Sequence, residues 1–420
     1  MHVEVDVRQA IYALSDALDL VGVDDFYHGK RVAMMAVEVA RVSGMDVALQ
    51  EELFDIGLLH DCGVSSTAMH RHLVQELDWS GAQGHCERGS ALLRAVPCLD
   101  YLADAVRYHH THWADLQRLG LDAALARKTN LIFLLDRADA LAEPHYGPDL
   151  LQHTQSIRDT LAGFGGSLFD PELVEAFLHA SAADAFWLVL EPRHIQSFLG
   201  KMLQRPNRRR LNFTELRRMA MLISNLVDAK SPYTSTHSLG VAKLCRLLGD
   251  LDGQDAETCD RLELAGLMHD LGKLQVPDEL LDKAGPLSET ERQVVNRHSF
   301  ETYQILRRIP GIEAVAVWAA YHHETLDGSG YPYGMATGVL PRQARIVAVA
   351  DVFQAMAQDR PYRPALAPRE ILAVLQRRAQ AGQLDAGVIL LVAEHLDACW
   401  MAAIDPAPLT ALPLSAVPMH

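Results

Sequence analysis

Helical periodicity runs through this chain, and the alternation expected of strands is scarce. His28, Val32, Met35 and Val39 are spaced by four, three and four residues, and His237, Val241, Leu244 and Leu248 repeat that spacing. Each histidine therefore continues the buried stripe of a helix and is aimed inward. A second apolar segment follows in each half, LFDIGLLHD and LELAGLMHD, with Gly57 and Gly266 at matching positions where a small residue permits close helix contact. Further on, SLFDPELVEAFL (Ser167 to Leu178) parallels QLDAGVILLVAEHL (Gln383 to Leu396), with Asp170 and Asp385 separated by 215 residues. The pattern predicts an all-α protein: two tandem bundles of five to seven helices, related by internal duplication. Residues 1–190 form the first and 211–402 the second. Residues 191–210, with Pro192, Pro206 and several arginines, read as a linker, and the proline-rich residues 403–420 as an extended tail.

The repeat carries chemistry. His237, His269, Asp270, His298, His322, His323 and Asp351 recur, in order, as His28, His60, Asp61, His85, His109, His110 and Asp136. The offsets between the two series drift only from 209 to 215. Imidazole and carboxylate together suit iron, manganese, zinc or nickel. Two such ions about 3.5–4 Å apart can hold a bridging hydroxide and clamp a phosphoryl oxygen. Metal-assisted hydrolysis is the leading reading.

Composition narrows the partners. The 420 residues are 49% hydrophobic and 22% charged, with a formal net charge of −16. That charge argues against nonspecific binding to a nucleic-acid polymer or an anionic membrane. It allows a phosphate ligand, because carboxylates that hold metal count as negative while the metal is not counted. No run of eighteen uncharged apolar residues occurs, and MHVEVDVRQA lacks a secretory pattern. Cys62, Cys86, Cys98, Cys245, Cys259 and Cys399 form no CxxC, which suits reduced thiols and a cytoplasmic location. Cys62 and Cys86, beside proposed ligands, read as small buried side chains. The basic residues from Arg205 to Arg210, with Arg217 and Arg218, read as a solvated linker. His70, His72 and His153 have no match in the second half and are expected at the surface.

Four ordered motifs then give a family resemblance. HDLGK (His269 to Lys273), HHETLDGSGYP (His322 to Pro332), RIVAVADVFQAM (Arg345 to Met356) and DRPYR (Asp359 to Arg363) resemble the HD-GYP family of bacterial cyclic dinucleotide phosphodiesterases. The resemblance spans roughly residues 211 to 400 and implies HD-type helical bundles. It implies that the second series of seven residues ligates two divalent ions (iron, manganese or nickel), with Asp270 bridging. It makes Lys273 a catalytic contact to the substrate phosphate or the bridging hydroxide. Gly328, Gly330, Tyr331 and Pro332 become the substrate-side loop, and Arg360 and Arg363 the pair near the substrate phosphates. The implied reaction is hydrolysis of cyclic di-GMP or 3′3′-cyclic GMP-AMP to the linear 5′-phosphorylated dinucleotide. The alternative is a non-catalytic metal-holding module that binds nucleotide or, through the Gly-Tyr-Pro loop, a diguanylate cyclase.

Departures from the family pattern matter. Tyr233 stands where some members carry a glutamate that helps hold a third metal, and Gln354 where an aspartate is frequent. In the first half, HDCGV places Val64 where Lys273 stands, and HHTHWADLQRLG replaces the Gly-Tyr-Pro loop. That half resembles an HD-superfamily domain without the loop, expected to hold one to three ions. Asp24 could add a ligand or cap a helix, and His112 and Trp113 could line a pocket or simply pack. Retained ligands with a lost loop fit a phosphohydrolase of different substrate, such as a 5′-nucleotidase, better than decay.

Overall fold

The computed structural model describes residues 5–21, 27–204, 209–230, 236–283, 285–335, 338–359 and 364–405. Residues 6–209 form one compact unit and residues 210–413 a second. The first unit contains α1 (Val7–Leu18), α2 (His28–Val42), α3 (Val47–Leu59), α4 (Thr67–Gln75), α5 (Gln83–Arg94) and α6 (Asp100–Tyr108). It continues with α7 (Trp113–Leu119), α8 (Ala123–Ala142), α9 (Leu150–Ala162), α10 (Pro171–Ala180), α11 (Asp184–Leu188) and α12 (Pro192–Gln204). The second unit contains α13 (Phe213–Asp228), α14 (His237–Leu251), α15 (Ala256–Met268), α16 (Asp278–Leu281) and α17 (Glu289–Leu306). It ends with α18 (Glu313–Ala320), α19 (Arg342–Ala357), α20 (Pro368–Gln380), α21 (Ala386–Glu394) and α22 (Leu396–Ile404). Two strands of two residues each, Val5–Asp6 and Arg210–Leu211, are the only strands among the described residues. The all-α expectation holds.

Aspartates cap four of the helices at matched positions in the two units. Asp46 accepts from the Leu49 amide at 2.8 Å, and Asp255, 209 residues later, accepts from Thr258 at 2.7 Å. The matched Asp170 and Asp385 are also N-caps, accepting from the Glu172 and Gly387 amides at 2.9 and 2.8 Å. Each satisfies an amide that has no partner within its own helix.

Close contact between the two ligand-bearing helices explains the paired glycines. A Cβ on Gly57 would lie 2.6 Å from the Ala33 Cα, and one on Gly266 would lie 2.6 Å from the Ala242 Cα. In each unit a second glycine follows the His-Asp doublet. A Cβ on Gly63 or Gly272 would come within 1.9 or 2.1 Å of the carbonyl oxygen of His85 or His298. These glycines bring the doublet up against the helix that carries the next histidine.

Three expectations need correction. Among the described residues the units hold twelve and ten α-helices rather than five to seven. Short segments such as α7 and α16 close the bundles and carry too few residues to show a period. Residues 191–210 are not simply a linker, because α12 occupies most of them and buries Ile195, Leu199 and Met202. Pro192 begins that helix instead of breaking it, since proline is tolerated in a first turn. At the C-terminus, α22 runs to Ile404, and residues 406–420 of the expected tail lie outside the described residues. No single helix is long and apolar enough to cross a membrane. All six cysteines are buried.

Gly266→Ala is expected to destabilise the second unit by about 1–3 kcal/mol, the cost of overpacking. Gly272→Ala is expected to cost more, because its obstacle is a backbone carbonyl. Calorimetric unfolding of the two variants checks the order.

Candidate metal centres

In the second unit the ligand side chains sit at helix ends and turns. His237 opens α14, and His269 closes α15. Asp270 begins a 3₁₀ turn (Leu271–Gln275), His298 lies in α17, and Asp351 lies in α19. His322 and His323 follow α18. Both doublets therefore lie just past a helix end, not within a helix as their spacing suggests. The turn separates the side chains of adjacent residues.

The side chains converge as two adjoining clusters. His237 Nε2 and His269 Nε2 are 3.2 Å apart. Both face Asp351 Oδ1, at 3.3 and 3.7 Å, and Asp270 Oδ2, at 3.5 and 3.2 Å. His298 Nε2 and His322 Nε2 are 3.4 Å apart, and they face Asp270 Oδ1 at 3.4 and 3.8 Å. His323 joins the second cluster. Asp270 thus turns one oxygen to each cluster, as a bridging carboxylate would.

The donor chemistry fits a metal pair. His269, His298 and His322 donate through Nδ1 to the carbonyls of Gly266, Val295 and Ala319, at 2.9, 2.7 and 2.6 Å. With Nδ1 protonated, each Nε2 presents a lone pair, and these lone pairs point at one another and at carboxylate oxygens. Such an arrangement is repulsive unless a cation lies among them. Asp270 Oδ1 is buried with no hydrogen-bond partner. Burial works against a charged His269, yet Asp270 and Asp351 raise it to about 10, a measure of the positive charge the carboxylates call for. Burial and neighbouring charges push His298 down to about 4 and His323 to about 3, the neutral form a ligand needs.

Lys273 donates to Asp270 Oδ2 at 2.6 Å. The Gly-Tyr-Pro loop closes over the second cluster. The Tyr331 ring lies 4.7 Å from His323, and its amide donates to the His323 carbonyl at 3.2 Å. A Cβ on Gly330 would meet that carbonyl at 2.4 Å. Glu324 pins the loop by accepting from the Tyr333 and Met335 amides at 2.7 and 2.8 Å. A cavity of about 550 Å³ opens beside Lys273, with Lys283, Arg292, Leu280, Leu281 and Val295 on its walls. That volume suits a small-molecule ligand. Lys283 and Arg292 were not singled out from the sequence, where they are two ordinary basic residues. Tyr233, Arg360, Arg363 and Asp24 lie outside the described residues.

The first unit repeats the arrangement. His28 Nε2 and His60 Nε2 are 3.3 Å apart, with Asp136 Oδ1 3.2 Å from His28. His85 Nε2 and His109 Nε2 are 3.2 Å apart, with Asp61 Oδ1 3.3 Å from His85. Asp61 Oδ2 faces His60 at 3.6 Å and His28 at 3.8 Å, so Asp61 also spans both clusters. His110 completes the second group, and Asp61 Oδ1 is again buried without a hydrogen-bond partner.

The surroundings differ between units. Val64 is buried where Lys273 stands. His70 is not simply a surface residue, because it borders a small cavity with His28, His60, Asp61 and Val64. It lies on α4, whose position could not be read from the ligand spacing. His72 stacks on Trp79, and His153 stacks on His145. His112 pairs with Asp78 at 3.0 Å, while Trp113 begins α7. Two supporting residues were missed. Arg137 donates to Asp136 Oδ2 at 2.8 Å, and Asp139 accepts from His28 Nδ1 at 2.7 Å. Asp139 could have been found from the repeat, since it precedes Gln354 by 215 residues. Gln354 in turn accepts from His237 Nδ1 at 2.5 Å.

This fold and paired donor set define a metal-dependent HD-type phosphohydrolase. An HD domain family profile matches residues 221–388. The chain is 36% identical over 409 residues to the 3′3′-cGAMP-specific phosphodiesterase 1 of Vibrio cholerae, covering 96% of this chain and 95% of that protein. It is 37% identical over 164 residues to the cyclic di-GMP phosphodiesterase response regulator RpfG of Xanthomonas campestris, covering 39% of this chain and 43% of that one. A crystal structure of a cyclic GMP-AMP-specific phosphodiesterase from V. cholerae shares the fold, with a TM-score of 0.66 at 22% identity, covering 94% of this chain and 98% of that one. The chain belongs to the HD-GYP family of cyclic dinucleotide phosphodiesterases.

Metal removal is expected to lower the unfolding temperature, and added Mn²⁺ to restore it. An ion at a hundred times its dissociation constant adds about 2.7 kcal/mol to the folded state. Acidification below the ordinary histidine range, to about 4 and then about 3 where His298 and His323 take up protons, is expected to release the ion of the second cluster, because protons compete for Nε2. Thermal scans with and without chelator check the first, and metal analysis against pH the second.

Proposed function

We propose that the second unit hydrolyses a 3′–5′ cyclic dinucleotide to the linear 5′-phosphorylated dinucleotide, with 3′3′-cyclic GMP-AMP as its preferred substrate. The observation that carries the reaction is Asp270, turned with one oxygen to each imidazole cluster and contacted by Lys273. A bound metal pair supplies a hydroxide nucleophile and neutralises phosphoryl oxygens. His237, His269, Asp270 and Asp351 would hold one ion, and His298, His322, His323 and Asp270 the other. Two adjoining donor clusters support two ions in this unit, and the same arrangement supports two in the first. Lys273 is placed to steady negative charge on the phosphoryl group as the bond to the leaving 3′-oxygen breaks. The cavity beside it receives the dinucleotide, and Arg292 adds positive charge on its wall, where Lys283 is paired with Glu291 at 2.6 Å. The preference for 3′3′-cyclic GMP-AMP is supported by the relative of that specificity, which aligns along 95% of its length, through both units.

For the first unit we propose removal of the 5′-phosphate from that linear product. Its donor set is complete, while Val64 replaces the lysine and the Gly-Tyr-Pro loop is absent. The product of the second unit is a phosphate monoester, a substrate that needs no loop for a cyclic dinucleotide. The rival reading, a metal-holding module that binds nucleotide or a diguanylate cyclase without turnover, accounts for the cavity but makes no use of the Lys273–Asp270 contact.

Asp270→Ala is expected to abolish ring opening, and Lys273→Ala to retain metal but slow it roughly 10²-fold, the scale of losing one charge-stabilising group. Substantial turnover by Asp270→Ala would sink the assignment. Chromatography of products from the His60→Ala/Asp61→Ala double variant tests the first unit. Ring opening is expected to persist while the 5′-phosphorylated dinucleotide accumulates. If the wild-type chain releases no inorganic phosphate from that dinucleotide with any divalent ion, the two-step reading fails.

A further inference from the structure

The two centres share their ligand types but are backed by different groups. In the first unit His28 donates through Nδ1 to a carboxylate, Asp139 Oδ2, at 2.7 Å. Asp139 is fully buried and held by Arg31, whose Nε and Nη2 donate to its two oxygens at 2.7 and 2.8 Å. The Tyr146 hydroxyl also donates to Asp139, and its ring lies 4.4 Å from the Arg31 guanidinium. The Arg31 fork, closed on both oxygens of this buried carboxyl, is the geometry of a carboxylate paired with a guanidinium. In the second unit the same Nδ1 meets a neutral amide, Gln354 Oε1, at 2.5 Å, and Gln354 Nε2 donates onward to the Ala403 carbonyl at 3.3 Å.

The bridging carboxylates differ as well. Lys273 Nζ lies 2.6 Å from Asp270 Oδ2, the oxygen turned toward His237 and His269. A cation there competes with a metal for the same lone pairs. Val64 occupies the matching position in the first unit, so no lysine is set against an ion on Asp61; the cation in that centre is Arg137, which donates instead to Asp136 Oδ2 at 2.8 Å.

We propose that the first centre is the tenacious one, holding its divalent ions against exchange, while the second exchanges its ions readily with the surrounding metal pool. Asp139 is the positioning residue that sets the difference. A carboxylate behind a ligating imidazole fixes the ring and raises the donor strength of its Nε2, and removing such a partner typically weakens metal affinity 10- to 100-fold. Gln354 orients His237 but contributes no charge, and Lys273 works against retention. Ring opening would then follow the supply of divalent metal, while the first centre stays loaded. The inference rests on both centres binding metal.

The test reads metal content, not activity. Full-length protein is loaded with Mn²⁺ in two forms, one carrying His269→Ala/Asp270→Ala, which keeps the first centre, and one carrying His60→Ala/Asp61→Ala, which keeps the second. Both are dialysed against EDTA, and bound manganese is followed by elemental mass spectrometry. The form with the first centre is expected to release manganese at least about tenfold more slowly. Adding Asp139→Asn should remove most of that advantage. Because Asp139→Asn leaves Arg31 without its buried partner, Gln354→Glu in the other form asks the same question from the opposite side and should slow release from the second centre. Equal or faster release from the first centre overturns the proposal, as does indifference of release to both substitutions. If neither form binds Mn²⁺ at all, the metal reading fails and takes this proposal with it.

Discussion

Everything in each unit is arranged around one electrostatic demand: several imidazole lone pairs and two carboxylates are brought into a largely buried cluster where a cation reconciles them. Carbonyls at Gly266, Val295 and Ala319 take the Nδ1 protons, which leaves the Nε2 atoms as acceptors facing acceptors. Burial makes that demand severe, because an uncompensated cluster of this kind would cost several kcal/mol per unsatisfied group. The helices, the glycine contacts and the positions of the doublets serve this convergence. Gly63 and Gly272 show it most directly, since any side chain there would drive the doublet away from the helix bearing His85 or His298.

The two series of candidate ligands, which the structure brings together, were readable because such residues must be particular types in a fixed chain order and the chain presents that order twice; their division into two clusters was not. The inward histidines of α2 and α14 were readable because helical period is local, and Asp170 and Asp385 were readable as matched positions, though not as caps. What was not legible depends on distant contacts. Asp139, Arg31 and Arg137 are ordinary charged helix residues until α8 brings them against α2 and α4. His70 gains its cavity position only from where α4 is laid down, and α12 was mistaken for linker because two prolines and several arginines masked its spacing of buried residues.

The contrast between the units follows from a few substitutions around a common donor set. Lys273 and the Tyr331 loop belong to the second unit, where the proposed reaction has a cyclic substrate gripped and its phosphodiester opened. Val64 and the charged support behind His28 belong to the first. On the proposed reading, the chain carries one centre that meets a substrate phosphate with a lysine and one whose candidate ligands are backed by Asp139 and Arg137.

The most direct measurement of this account is a crystal structure of the Mn²⁺-loaded chain with anomalous scattering at the manganese edge. The account predicts two anomalous peaks about 3.5–4 Å apart in each unit, with Asp270 bridging one pair and Asp61 the other. A single peak in either unit, or a pair that Asp270 or Asp61 fails to bridge, would contradict it.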